Sequence, residues 1–117
     1  MNLNNIPFIL IECLLLTIII ELVLALILGV RDKKDILNII LVNVITNPIG
    51  VMSQILLYLK FGYKIEIIGL IILEILVVPV EGLIYKKVLK YKKINPILLS
   101  LILNVASLVI GGFINNI

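Results

Sequence analysis

Residues 36–59 read "ILNIILVNVITNPIGVMSQILLYL", an apolar run interrupted near its middle by Asn43, Thr46, Asn47 and Pro48. A helix over these residues would rise about 36 Å, more than the roughly 30 Å of a bilayer's hydrocarbon. Three further runs have the same character: 7–30, 64–86 and 95–116. The chain has 117 residues, of which 62% are hydrophobic and 15% charged. Its mean hydropathy is +1.30. Soluble domains are about 45–50% apolar, and there is too little charge here to form a polar shell. The fold class that follows is all-α: a polytopic membrane protein, a compact bundle of four transmembrane helices joined by short loops. All 117 residues then form one transmembrane domain, with no room for a soluble one.

Helix punctuation agrees with these limits. Gly29 and the charged "GVRDKKD" end the first span, and both aspartates, Asp32 and Asp35, fall in the loop that follows. Asn95 and Pro96 suit the N-cap and first position of the fourth. The first run carries Glu12 and Glu21, has no basic leader and shows no small-residue cleavage site, so it reads as a retained helix. Short connections make consecutive helices antiparallel neighbours.

Arg31, Lys33 and Lys34 lie in the first connection, and Lys86, Lys87, Lys90, Lys92 and Lys93 in the third. Only Lys60 and Lys64 lie at the opposite ends of the helices. Basic residues stay cytoplasmic, so the expected topology is N-out/C-out in the cell membrane, with both basic loops in the cytoplasm. The third connection is also a candidate site for anionic lipid head groups, although a topology signal alone explains its lysines.

With no histidine and one cysteine, the chain lacks the usual zinc, haem and iron–sulfur ligand sets, and no cofactor is expected. Cys13 reads as a small apolar filler. Tyr58, Tyr63 and Tyr85 read as interfacial anchors.

The five glutamates all lie in the spans or at their edges, where each is a functional-site hypothesis. Counted from the end of each helix opposite the basic loops, Glu21, Asn47, Glu74 and Asn104 share a depth near the midplane. Glu81, Asn43 and Ser100 fall deeper, and Glu12 and Glu66 shallower. At about 100° per residue, Asn43, Asn47, Gly50 and Gln54 form one stripe, as do Ser100, Asn104, Ser107, Gly111 and Asn115. Glu74 and Glu81 share a face, whereas Glu12 and Glu21 point apart. Pro48 and Pro79 free the carbonyls of Val44 and Ile75, making each a candidate helix break, with Thr46 and Asn47 at hand to satisfy the first. Helix packing by small and amide residues explains the stripes equally simply. A protonated carboxyl bonded to an amide likewise accounts for Glu74 and Glu81.

The candidate proton- or cation-binding residues are therefore Glu21, Glu74, Glu81, Asn43, Asn47 and Asn104. They suit a small membrane transporter or channel for a cation or proton-coupled solute, since no Lys or Arg lies deep in a span. One four-helix chain encloses little volume, so a homodimer or larger membrane complex is expected, with the lipid bilayer as the other partner and no nucleic acid. The alternative is a small subunit or assembly factor whose stripes bind a partner membrane protein, and Glu12, facing away from Glu21, favours it. An intramembrane enzyme fits least, because no serine has a His or intramembrane Lys as base. Small four-span multidrug and guanidinium exporters share this length and a first-helix glutamate. The residues "LIECLLLTIIIELV" (10–23) lack the rest of their motifs, and the charge bias departs from dual-topology members.

Overall fold

The computed structural model describes residues 5–115 and is all-α. Four helices follow in order: α1 (Ile6–Leu28), α2 (Lys33–Phe61), α3 (Tyr63–Val88) and α4 (Pro96–Asn115). All four are long and apolar enough to cross a membrane. Each packs on its neighbours in a closed ring, α1 on α2, α2 on α3, α3 on α4 and α4 on α1, while the backbones of the diagonal pairs stay apart. The bundle measures 41 × 23 × 23 Å. Its outward positions are apolar: Ile19, Ile27, Ile45, Ile75 and Val109 are all more than half exposed. Several inward positions are polar, among them Glu21, Asn43, Glu81, Ser100 and Asn104. This is the pattern of a chain solvated by lipid, where the apolar surface needs no burial and the polar groups do.

The turns account for the ring. Gly29 ends α1 at φ +104, and the Val30 N–H donates back to the Ala25 carbonyl at 2.9 Å. Val30 is thereby turned inward and is fully buried, as a left-handed C-cap glycine allows. Asp32 caps α2 by accepting from the Lys34 N–H at 2.8 Å. A single residue, Gly62 at φ +89, separates α2 from α3, a geometry that a side chain would strain. The Asn95 side chain caps α4 by accepting from the Ile97 N–H at 2.9 Å, with Pro96 at the first helical position.

The apolar core lies at one end. Ala25, Val30, Ile39, Val42, Tyr85, Leu89, Tyr91, Leu99 and Leu103 form a single buried cluster, drawn from the helix ends that the two basic connections join. Asp35 locks it. It belongs to the first turn of α2, not to the loop before it, and is buried. Its two oxygens accept from the Lys90 and Tyr91 N–H groups, each at 2.9 Å. The Tyr91 hydroxyl donates to the Leu28 carbonyl at 2.8 Å. Asp35→Ala strands two partly or fully buried N–H groups and should lower stability by about 2–4 kcal/mol, measured by unfolding in mixed micelles. Asp35→Asn, which keeps one acceptor oxygen, should fall between.

Two expectations need correction. Both α2 and α3 run unbroken through Pro48 and Pro79, so neither proline ends or divides its helix. The Thr46 hydroxyl does reach a carbonyl, but that of Val42 in its own preceding turn, at 3.0 Å, and not the one Pro48 frees at Val44. Tyr85, expected at the interface, is fully buried in the core, whereas Tyr58 and Tyr63 are exposed. It lies one turn beyond Glu81 on the same inward face of α3, and that face continues further toward the helix end than hydropathy alone indicates.

A cavity floored by carboxyl and amide groups

Above the plugged end the bundle holds a cavity of about 270 Å³, partly open. Leu16, Val51, Leu70, Leu73, Val77 and Leu108 give it apolar walls. Asn43, Thr46, Glu81, Asn104 and Ser107 give it a polar floor. Asn47, Gln54 and Glu74 stand above, toward the helix ends away from the basic connections. Five of the six residues expected from the sequence, Asn43, Asn47, Glu74, Glu81 and Asn104, therefore line one cavity. The sixth, Glu21, is fully buried and is not among the lining residues; it sits behind the floor, bonded to Asn43.

The pairing differs from the one that depth predicted. The Asn43 Nδ2 donates to Glu21 Oε1 at 3.2 Å and to the Ile39 carbonyl at 3.0 Å. The Asn104 Nδ2 donates to Glu81 Oε2 and to the Ser100 carbonyl, both at 2.9 Å. The Asn47 Nδ2 donates to Thr17 Oγ1 at 3.2 Å. So Asn43 belongs with Glu21 and Asn104 with Glu81, not the reverse. The cause is unequal length: the helices have 23, 29, 26 and 20 residues. They are in register at the basic-loop end, and α2 and α3 overhang at the other. Counted from the shared end, Glu21 and Glu81 each lie seven residues in, Asn104 eight and Asn43 ten. All four then fall within about 10–15 Å of that end.

Thr46 was not among the expected site residues, yet it completes the floor. Its Oγ1 lies 2.8 Å from Glu81 Oε1 and 3.0 Å from the Val42 carbonyl. A hydroxyl has one hydrogen, so it cannot donate to both. With Glu81 ionised, Thr46 donates to the carboxylate. With Glu81 protonated, the carboxyl donates to Thr46, which donates to Val42. The contact survives in either state, and Glu81 can gain or lose a proton without the floor coming apart. A sequence signal existed: Thr46 lies three residues from Asn43, on the same side of α2. On α4, Ser100 donates to the Val78 carbonyl at 2.9 Å and fixes α4 against α3. Ser107 donates to the Asn104 carbonyl at 3.0 Å. The side chain of Asn115, the last member of that stripe, lies outside the described residues.

The remaining candidates stand away from the cavity. Pro79 is exposed on the outer face of α3, and Pro48 is half-buried in α2. Lys86 and Lys87 occupy the last turn of α3, Lys90, Lys92 and Lys93 the connection, and all five are exposed. Glu12 is exposed on α1. Among the described residues no three His, Cys, Asp or Glu side chains gather closely enough to hold a metal ion.

The cavity can therefore offer a guest two carboxyl groups and several amide and hydroxyl oxygens, within apolar walls and with no fixed positive charge. No protein-family model, curated protein or solved structure matches this chain.

Proposed function

We propose that the chain is a small integral membrane transporter that takes up a cation, or a solute moved together with protons, in this cavity. The observation that carries the reading is the combination of a polar, carboxyl-bearing floor with a packed apolar plug directly beneath it. A channel needs a continuous wet path, whereas a cavity closed at one end suits a carrier that exposes its site to one side at a time. Ionisable groups kept inside a lipid-solvated bundle are costly and mark proton or ion pathways. The basic connections suit the cytoplasmic side of the cell membrane, with both termini outside, which puts the mouth of the cavity outside.

Purified protein in liposomes loaded with a pH-sensitive dye tests this. An inward cation gradient should drive proton movement, and Glu74→Gln, which removes a carboxyl from the cavity above the floor, should slow it while leaving the helical content intact. Equal proton movement in Glu74→Gln would make Glu74 structural. No flux under any cation or proton gradient would overturn the transport reading.

The exposed carboxyl of Glu12, among the exposed Phe8, Ile11 and Leu15, supports the second reading, a small subunit or assembly factor that docks against another membrane protein or a second copy. A co-purifying partner together with absent flux favours it.

A further inference from the structure

Glu21 is set apart from the other carboxyl groups. It is 0% exposed and lies behind the cavity floor. Its Oε1 accepts from Asn43 at 3.2 Å, and its buried Oε2 has no partner among the described residues. Glu81 differs: Thr46 and Asn104 lie at 2.8 and 2.9 Å, one to each oxygen. A carboxylate offers about four acceptor positions, and an ion buried with most of them empty is costly. Among the described residues no cation offsets Glu21, because every lysine and arginine is exposed. The groups that face it are Asn43 from α2, Glu81, Glu74 and Tyr85 from α3, and Ser107 from α4. The Tyr85 hydroxyl is likewise buried without a partner. In this set Asn43 donates to Glu21, the Ser107 hydroxyl spends its one hydrogen on the Asn104 carbonyl, and two members are themselves acids within electrostatic reach.

We infer that Glu21 is a proton-binding site behind the cavity, distinct from the cation site at Glu81 and emptied when a cation docks there. This rests on the cavity being a cation site, but where the proton sits can be tested without it. Two carboxylates close together in a low-dielectric interior resist being ionised at once. A cation held by ionised Glu81 cancels that repulsion. The O–H bond at Glu21 Oε2 then breaks, its electron pair stays on oxygen, and the proton leaves past the Ser107 hydroxyl into cavity water. One positive charge enters and one leaves, so the exchange is neutral overall.

Difference infrared spectroscopy on the full chain in lipid, at neutral pH and with ethylammonium as the probe cation, tests this. The wild type should show a protonated-carboxyl band that disappears in Glu21→Gln, moves in Glu21→Asp and persists in Glu81→Gln. Ethylammonium should diminish that band in the wild type and release roughly one proton per cation bound. The Asp variant keeps an acid in place, so the assignment does not depend on the Gln variant folding. A band that survives both Glu21 substitutions unchanged, or vanishes in Glu81→Gln, overturns the inference, as does ethylammonium bound without change in the band. If ethylammonium does not bind at all, the cavity reading suffers and the band assignment alone decides where the proton sits.

Discussion

Replacing Glu81 by glutamine should leave the bundle folded and weaken binding of a small ammonium probe by about 10- to 100-fold. Of the two acids that line the cavity among the described residues, Glu81 is the fully buried one, and it stands where Thr46 and Asn104 hold both of its oxygens in place. Glutamine matches its shape and can keep one oxygen toward either partner. What it removes is the negative charge, and hydrogen bonds to a charged group are worth about 1.5–3 kcal/mol, with 1.4 kcal/mol per factor of ten in affinity. Isothermal titration in detergent, with circular dichroism as a check on folding, measures both halves. Unchanged affinity would remove Glu81 from the binding site and leave it a packing residue.

Gly82→Ala should be the most destabilising of the small-to-larger substitutions at glycine. A Cβ on Gly82 would stand 2.8 Å from the Cα of Ile97, which is backbone and cannot swing aside. The two helices must separate, and with them the Ser100 bond to Val78 and the Asn104 bond to Glu81 that cross between α3 and α4. Overpacking of this kind costs about 1–3 kcal/mol. Gly112→Ala is the contrast, since nothing lies within 4 Å of its would-be Cβ, and a change within about 0.5 kcal/mol is expected there. Unfolding of both variants in mixed micelles separates a local clash from a general intolerance of alanine.

Hydropathy and short connections were enough to place the four helices, because lipid imposes a length and forbids unpaired backbone. Facing was also readable: a helix repeats every 3.6 residues, so nine positions set Glu12 and Glu21 on opposite faces, and the structure has Glu21 buried and Glu12 exposed. Depth was not. It needs a common origin for all four helices, and the choice of the wrong end shifted Asn43 and Asn104 to the wrong partners. The origin is set by tertiary contacts around Asp35 and Tyr91, which join residues 55 to 63 positions apart and leave no local trace. Tyr85 was misplaced for a related reason. An aromatic near a helix end reads as an anchor, but the packed plug extends past it and takes it in. The proline at 48 raised the expectation of a break, yet α2 packs along both α1 and α3, and those contacts hold the helix together across the missing hydrogen bond.

Entry to the cavity from one side only is tested most directly at Cys13. It is the chain's single cysteine, and it lines the cavity above the floor. In oriented vesicles, a small water-soluble cationic thiol reagent should label Cys13 from the side opposite the basic connections and not from the other. In a cysteine-free background, Leu103→Cys, within the buried plug, should stay unlabelled from both sides. Ethylammonium should slow labelling of Cys13, and Glu81→Gln should remove that protection. Equal labelling of Cys13 from both sides, or reaction at position 103, would mean a path runs through the bundle and would contradict the closed floor.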